Sequence, residues 1–458
     1  MTQVTKENKM GTQPINSLLI KMAIPMMLSM LVQALYNVID SIYVAQLSQD
    51  ALNAVSLSFP IQNVITAIGS GTGAGVNALI SKSLGAKNPK KANKYATNGL
   101  FLALCSFVAI FLFGIFGVEP FFRSQTKIES IIEGGVSYLS ICCFFSFGVF
   151  GQILFERIMQ STGKTVLSMC SQGVGAIVNI VLDPIFIFGY FGIPAMGVAG
   201  AAVATVVGQF CGLITGFVLN QKFNTEISIK FKGFKPELSI IKDIYRIGFP
   251  TIITISVGSV MTYLINRLLI AIEPTATASA VFGIYFKLQS FVVMPVLGLS
   301  QAMMPIVSYN LGANNKKRML KTYHLSILYA LVVMILGTLI TFFLPEVLLS
   351  FFNPTTDMLT MGVRALRIIS VSFLFISVSL TSSTFFQACG RSFISMIMSL
   401  SRQLLILVPV AYVLGYTLGY EYVWFAIPIG EFGASLIAIV GRLRLQRTLF
   451  SKMPDVTE

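Results

Sequence analysis

Charged residues and histidine are scarce in this sequence. Asp, Glu, Lys and Arg make up 11% of its 458 residues, whereas they make up roughly 25% of an ordinary soluble domain. The single histidine, His324, has no Cys, Asp or Glu at metal-ligand spacing, and the six cysteines form no CxxC pair. The pattern therefore indicates neither a zinc site nor a disulfide framework. The sequence suggests no cluster of a nucleophile, a metal site or an acid-base pair of the kind that catalysis needs, so we do not expect an enzyme.

Apolar residues are correspondingly abundant. They account for 55% of the chain, and the mean hydropathy is +0.80. A helix needs roughly 20 apolar residues to cross the hydrocarbon core of a bilayer, and such stretches recur along the whole chain. We predict an all-α integral membrane protein with twelve transmembrane helices, embedded in the lipid bilayer of the cell membrane. The predicted helices run over residues 14–45, 51–83, 90–117, 129–158, 163–190, 197–221, 239–271, 275–311, 316–343, 357–388, 391–417 and 421–449.

The net charge of +14 arises from basic clusters at particular connections between these helices. Each basic cluster follows an even-numbered helix, and acidic residues predominate in the odd-numbered connections. This is the positive-inside pattern, which predicts that both termini lie in the cytoplasm. The basic excess then reflects topology and does not indicate binding to nucleic acid. The clustered basic residues are Lys82, Lys87, Lys90, Lys91, Lys94, Lys222, Lys230, Lys232, Lys235, Lys242, Lys316, Lys317, Arg318, Lys321, Arg442, Arg444, Arg447 and Lys452.

The two halves of the sequence match each other at an offset of about 226 residues. Residues 81–88, for example, correspond to residues 308–315, and a long polar segment separates the halves. We predict a first lobe of helices 1 to 6 over residues 1–222, a cytoplasmic linker over 223–238 and a second lobe of helices 7 to 12 over 239–458. Each half has an even number of helices, so a pseudo-two-fold axis along the membrane normal relates the lobes, with a central cleft between them.

Two acidic residues of the first half lie within hydrophobic spans, Asp40 in helix 1 and Asp183 in helix 5. An ionised carboxylate in hydrocarbon costs several kcal/mol unless it meets a partner or water. Asn179, one turn before Asp183, and Thr205 in helix 6 fall at a similar depth. Oxygen ligands of this kind suit Na⁺, and two neighbouring carboxylates also favour uptake of a proton. We therefore predict a site at which either H⁺ or Na⁺ is carried, and no other cofactor.

An alternative explanation remains for the two acids, in which Asp40 reaches the water interface and Asp183 only begins a kink at Pro184. Glu156, in helix 4, is also ambiguous, since it faces either the cleft or the membrane interface beside Arg157. Other polar residues approach the depth of the two acids. They are Gln33, Tyr36 and Tyr138.

The second half of the sequence lacks the paired acids. To within one residue, Asn266 stands at the position of Asp40, and Pro409 stands at that of Asp183. Helices 11 and 12 are antiparallel neighbours, so Arg402 and Glu431 are able to pair, either as a structural ion pair or in contact with a substrate. The charges near the middle of the membrane in the second half are Lys287, Arg402 and Glu431.

Several segments resemble the multidrug and toxic compound extrusion (MATE) family of transporters. They are Asn37-Val38-Ile39-Asp40-Ser41, Asn179-Ile180-Val181-Leu182-Asp183-Pro184, Gly200-Ala201-Ala202-Val203-Ala204-Thr205 and the repeated Leu-Gly-Ala turns. In this order within a six-plus-six repeat they are specific, and the resemblance covers essentially the whole chain. It implies a V-shaped pair of lobes that exports small amphipathic, often cationic, organic compounds in exchange for H⁺ or Na⁺.

The resemblance also implies roles for individual residues. One branch of the family carries acids within helices 7 and 10, whereas here the middle of helix 7 has no acid and helix 10 has none after Asp357 at its outer start, so the match is closer to the branch with a first-lobe site. We expect a protein that functions as a monomer. The implied cation site consists of Asp40, Asn179, Asp183 and Thr205, with Gln33, Tyr36 and Tyr138 nearby, and Pro25 is implied to let helix 1 bend.

Two other functions compete with drug export. A lipid or glycolipid flippase on a related two-lobe scaffold needs several basic residues in its cleft, and the sequence offers few beyond Lys287 and Arg402. A membrane enzyme needs a catalytic cluster at one interface, and the sequence suggests none.

Overall fold

The structure, a computed structural model, consists of helices joined by turns in the part of the chain that it describes. That part comprises residues 8–229, 234–273, 275, 277–352 and 354–453. Ten of the described helices are long and apolar enough to cross a membrane, and two bent helix pairs bring the number of spans to twelve. The predicted all-α fold with twelve spans is therefore confirmed.

The spans are numbered α1 to α12 in chain order, and their boundaries agree with the prediction to within two turns. They are α1 Ile15–Ala45, α2 Gln49–Gly85, α3 Pro89–Phe116, α4 Glu129–Phe144 with Phe147–Ser161, α5 Thr165–Phe188, α6 Val198–Phe223, α7 Leu238–Ile272, α8 Thr277–Gly312, α9 Lys316–Phe343, α10 Thr356–Ser370 with Ser372–Ala388, α11 Ser392–Leu418 and α12 Ala426–Thr448. The other short α-helices among the described residues are Lys9–Thr12, Val118–Gln125, Pro345–Ser350 and Tyr420–Val423, the last of which leads into α12.

Helices α4 and α10 differ from the prediction, because each is broken near its middle. The two segments of α4 meet at 48°, and those of α10 meet at 47°. At the break in α4, Ser146 Oγ donates to the carbonyl oxygen of Cys143 at 2.9 Å. At the break in α10, Ser370 Oγ donates to the carbonyl oxygen of Arg367 at 2.8 Å. Hydroxyl groups that bond to the backbone in this way often bend helices.

The internal repeat is visible in individual hydrogen bonds. In the first half, Ser81 Oγ donates to the carbonyl oxygen of Ser161 at 2.9 Å. In the second half, Ser308 Oγ donates to the carbonyl oxygen of Ala388 at 3.0 Å. Both bonds join residues that are 80 positions apart in the sequence. The matching punctuation of the two half-sequences therefore reflects matching contacts in the fold.

The chain forms two compact units whose boundaries lie inside helices. The first unit comprises Leu28–Ile252 together with the residues before Gln13, and the second comprises Gln13–Met27 and Ile253–Glu458. The beginning of α1 thus belongs to the second unit, and the beginning of α7 belongs to the first. The division predicted at the linker does not include this exchange of segments.

Close contacts at glycine hold the exchanged segments in their units. A Cβ on Gly298 of α8 would lie 2.6 Å from the backbone nitrogen of Met27. In the first unit, a Cβ on Gly75 of α2 would lie 2.4 Å from the carbonyl oxygen of Ile244. Small residues permit such close packing of membrane helices. Pro25 lies within α1 just before the chain leaves the second unit, and its missing N–H allows the helix to bend there.

The predicted linker is only partly described, since residues 230–233 lie outside the described residues. The parts on either side contact α3. Asn93 Oδ1 accepts from the backbone N–H of Ser228 at 2.9 Å, and Asn98 Oδ1 accepts from that of Glu237 at 3.1 Å. The chain ends before residue 8 and after residue 453 also lie outside the described residues, so their cytoplasmic location stays a prediction.

Candidate functional site

Helices α5 and α6 approach each other closely because glycine lies at their contacts. A Cβ on Gly208 would lie 2.6 Å from the carbonyl oxygen of Gly175. A Cβ on Gly200 would lie 2.4 Å from the carbonyl oxygen of Phe186. No side chain fits between the backbones at these points. Polar side chains between the glycines are therefore brought within hydrogen-bonding distance across the helix pair.

Asn179 connects the two helices through its side-chain amide. Its Nδ2 donates to Thr205 Oγ1 at 3.3 Å and to Asp183 Oδ1 at 3.2 Å. Both Asn179 and Asp183 are buried, with 3% and 0% of their surface exposed. Their spacing of four residues places them one turn apart on the same face of α5. The structure thus brings together three of the four residues predicted for the cation site.

Asp40 of α1, the fourth predicted residue, interacts electrostatically with Asp183. Three buried acceptor oxygens of this group have no hydrogen-bond donor among the described residues, namely Asp40 Oδ1, Asn179 Oδ1 and Asp183 Oδ2. Buried acceptors without donors are costly, most of all on a carboxylate. A kink at Pro184 alone gives no reason for them. A bound proton or metal cation satisfies such oxygens, so the residues present fit H⁺ or Na⁺.

Two tyrosines predicted near the site, Tyr36 and Tyr138, interact electrostatically with both acids. Tyr138 is buried, and its hydroxyl oxygen accepts from Gln62 Nε2 at 2.9 Å. Gln62 was missing from the predicted site, although it is a polar residue inside the long apolar helix α2. The repeat could have drawn attention to Gln62, because a glutamine, Gln289, stands at the matching position of the second half.

A second polar layer lies further along α1 and α5. In it, Gln33 Oε1 accepts from Gln172 Nε2 at 3.0 Å. Gln172 precedes Asn179 by seven residues on α5, which corresponds to about 10 Å along a helix. The predicted residue Gln33 therefore lies two turns from the layer that contains Asn179.

Glu156 lies in the second segment of α4 and is buried, with 9% of its surface exposed. Gln152 Nε2 donates to Glu156 Oε1 at 3.0 Å. Tyr36 interacts electrostatically with Glu156 as well as with Asp40. Glu156 also interacts electrostatically with Arg157, and whether it faces the cleft or the membrane interface stays a prediction.

The charges predicted in the second half lie in the second unit. Arg402 Nη1 lies 3.1 Å from Glu431 Oε1 and 3.5 Å from Glu431 Oε2, so these two side chains form the ion pair that the sequence suggested. Lys287 is exposed, and its Nζ lies 5.9 Å from the ring centroid of Phe352. Lys287 thus forms a cation–π contact.

Comparison with known proteins assigns the family. The sequence profile described as MatE matches residues 25–185 and again residues 250–413. The chain belongs to the MatE family of membrane transporters. The two MatE matches begin at residues 25 and 250, in agreement with the repeat read from the sequence. Asp40, Asn179 and Asp183 lie inside the first match.

Relatives of this MatE chain cover most of its length. The probable multidrug resistance protein NorM of Thermotoga maritima is 28% identical over 400 residues, which are 86% of this chain and 85% of the relative. An FAD transporter of Shewanella oneidensis is 25% identical over 417 residues, which are 91% of this chain and 92% of the relative. A solved structure, the outward-facing conformation of a multidrug resistance MATE family transporter of the MOP superfamily, matches with a TM-score of 0.91 at 27% identity. The match covers 97% of this chain and 99% of the other, so this chain has the two-lobed MATE fold.

Proposed function

We propose that this MatE protein is a secondary active exporter that exchanges small amphipathic or cationic organic compounds for H⁺ or Na⁺. The coupling ion binds in the first unit at Asp40, Asn179, Asp183 and Thr205. The proposal is carried by the three buried oxygens without donors, two of which belong to carboxylates that interact with each other. A cation completes a group of this kind.

Exchange requires that the ion and the substrate favour different states of the transporter. Without a cation, Asp40 and Asp183 repel each other and keep unsatisfied oxygens. With H⁺ or Na⁺ bound, the repulsion is removed and the packing of α1 beside α5 is favoured. A cationic substrate is attracted by the same negative charge, so it is held best before the ion binds. Downhill entry of the ion therefore drives release of the substrate.

The relatives support the substrate class only in part. The names of the Thermotoga maritima protein and of the matching structure speak of multidrug resistance, whereas the Shewanella oneidensis relative is named for FAD. On the basis of the two proteins named for multidrug resistance, we propose multidrug export. FAD serves as the alternative substrate in the transport assay. We further propose that the protein acts as a monomer in the cell membrane with both termini in the cytoplasm, which the distribution of its basic residues supports.

The proposal is tested with purified protein in proteoliposomes, by following a fluorescent organic cation and, separately, FAD. A Na⁺ gradient and a pH gradient are imposed one at a time. We expect Asp40→Asn and Asp183→Asn each to lower gradient-driven transport by about tenfold or more, which corresponds to roughly 1.4 kcal/mol. Asp50→Asn is the matched control, because the Asp50 carboxylate accepts from Ser130 Oγ at 2.6 Å at the start of α2. Wild-type transport with unchanged ion dependence in both site variants contradicts the proposal.

A lipid or glycolipid flippase is less well supported. Recognition of a phosphorylated head group needs several unpaired basic residues. Arg402 is engaged by Glu431 at 3.1 Å, and Lys287 lies over the ring of Phe352. The same proteoliposomes, loaded with a labelled lipid-linked pyrophosphate, separate the two functions.

A further inference from the structure

The ion pair of the second unit is enclosed, and both oxygens of its acid are engaged. Arg402 Nη1 lies 3.1 Å and 3.5 Å from the two carboxylate oxygens of Glu431. Ser379 Oγ donates to Glu431 Oε2 at 3.0 Å. The Glu431 side chain is 8% exposed and that of Arg402 is 22% exposed. Glu431 thus differs from Asp40 and Asp183, each of which keeps a buried oxygen without a donor.

To within one residue, the acid of this pair lies where the repeat places the counterpart of one residue of the first-unit site. At the offset of about 226, Glu431 of α12 corresponds to Thr205 of α6. Glycine lies at the helix contact in both units. A Cβ on Gly208 would lie 2.6 Å from the carbonyl oxygen of Gly175 in α5, and a Cβ on Gly430 would lie 2.9 Å from the carbonyl oxygen of Arg402 in α11. The same kind of helix contact therefore carries oxygens without donors in the first unit and an ion pair in the second.

The backbone of α11 is irregular at the arginine. Ser401–Leu407 forms a π-helical segment that contains Arg402. Pro409 follows two residues after this segment, and its missing N–H prevents a regular α-helical hydrogen bond at that position. Segments of this kind are rare within α-helices and often lie at functional sites.

We propose that Arg402 is a built-in counter-cation that satisfies Glu431 and so keeps H⁺ and Na⁺ from binding in the second unit. The inference rests on the proposed ion coupling in the first unit and explains why coupling is confined to it. A free cation must displace a guanidinium that is part of the same fold. Without Arg402, Glu431 is a buried carboxylate with no counter-charge, and such a group takes up a proton or a metal cation.

The surroundings of Glu431 contain few other groups that could take over this role. Among the described residues, those that interact electrostatically with it are Arg402 from α11 and Tyr285 from α8. The contact from α10 is Ser379, which is neutral. Arg402 is therefore the cation on which the charge balance of this acid depends.

The test uses the purified full-length protein with Asp40→Asn and Asp183→Asn, which remove the acids of the first-unit site. Its melting temperature is measured while Na⁺ replaces choline at constant ionic strength, and separately as the pH is lowered. Arg402→Gln is then introduced into this double variant. We expect Na⁺ or a lower pH to raise the melting temperature of the resulting triple variant by on the order of 3 °C more than that of the double variant. Two controls are expected to lack the added response: Arg402→Lys, which keeps the charge, and Arg402→Gln with Glu431→Gln, which removes the acid.

A folded Arg402→Gln variant that gains no response to either cation overturns the proposal. A second measurement does not depend on the folding of that variant. With Arg402 intact, we expect the Asp40→Asn and Asp183→Asn protein to bind no radiolabelled Na⁺ and to release no protons on titration with substrate. Residual cation binding that disappears with Glu431→Gln also overturns the proposal. If instead the proposed ion site of the first unit is wrong, removing Asp40 and Asp183 does not change the response of the melting temperature to either cation. This outcome is the same with Arg402 or Gln at position 402, so it is distinguishable from failure of the present proposal.

Discussion

Asn179 donates a hydrogen bond to Asp183 Oδ1 at 3.2 Å, and this bond engages one of the two carboxylate oxygens. The other oxygen, Oδ2, is buried and has no donor among the described residues. Because the same amide also donates to Thr205 Oγ1 at 3.3 Å, the carboxylate is held in one orientation relative to α6. The geometry of the proposed ion site therefore depends on an amide that carries no charge.

Replacing Asn179 tests this dependence. Asn179→Ala removes the donor to Asp183 and the link to α6, so the ion site loses a ligand oxygen and its fixed geometry. We expect the affinity for the coupling ion to fall about tenfold, which corresponds to roughly 1.4 kcal/mol. The measurement is the Na⁺ concentration or the pH at half-maximal transport in proteoliposomes. Asn37→Ala on the exposed side of α1 is the control. An unchanged midpoint in the Asn179 variant argues against the site.

The contact between α5 and α6 offers a second test with a closely matched control. Gly208→Ala puts a methyl group 2.6 Å from the carbonyl oxygen of Gly175 and 3.1 Å from Asn179 Cβ, so the helices must separate. We expect a loss of about 1–3 kcal/mol in stability and weaker ion dependence of transport. Gly173→Ala, on the facing helix α5, places a methyl group that meets nothing within 4 Å, and this variant should melt at or above the wild-type temperature. Equal melting temperatures for the two variants contradict the prediction.

Much of the fold follows from local patterns in the sequence. The twelve spans arise from long apolar runs, because such runs are accommodated as helices in the hydrocarbon core of a membrane. The repeat follows from matched turns, and Ser81 and Ser308 make the same bond in the two halves. Asp40 and Asp183 are conspicuous because each is an acid within an apolar span. Each of these signals can be read along the sequence without knowing which helices are neighbours in the fold.

The features that escaped prediction depend on distances across the fold. The sequence does not reveal that Gln62 reaches Tyr138, because the two residues lie on different helices. Neither the break in α4 nor that in α10 contains proline. At each break a serine hydroxyl, that of Ser146 or Ser370, donates to a backbone carbonyl oxygen, and the sequence does not show which acceptor a hydroxyl binds. The exchange of the first parts of α1 and α7 between the units depends on contacts such as that of Gly298 with Met27. Hydropathy and spacing carry no information about these partners.

Pro25 provides a third test, directed at movement and not at ion binding. Pro25→Ala restores the N–H that can bond to the carbonyl oxygen of Lys21, so α1 is expected to straighten and stiffen. We expect a protein that melts at or above the wild-type temperature and binds the ion normally, but transports several-fold more slowly. Pro60→Ala serves as the control, because Pro60 also lies inside a span, α2, and is exposed. Wild-type transport rates in the Pro25 variant show that the bend is not needed.

Glu273 allows a prediction about pH outside the spans, at the start of α8. Its carboxylate accepts from the backbone N–H of Thr275 and of Ala278, each at 3.0 Å, and from the Thr275 hydroxyl. Burial alone would raise the pKa of Glu273, but these hydrogen bonds outweigh it and lower the pKa below its ordinary value. The bonds favour the ionised form, which therefore stabilises the fold.

A lowered pKa fixes the sign of the pH dependence. The stabilisation by Glu273 is fully present above the unfolded-state pKa of about 4.3 and is lost as the pH falls through the folded-state value. We expect Glu273→Gln to lower the melting temperature by roughly 2–4 °C above about pH 5 and the difference from wild type to shrink in more acidic solution. Glu346→Gln, in another connection and exposed, is expected to show no such pH-dependent difference. A difference that stays constant from neutral to acidic pH means that the ionised carboxylate of Glu273 does not hold the start of α8.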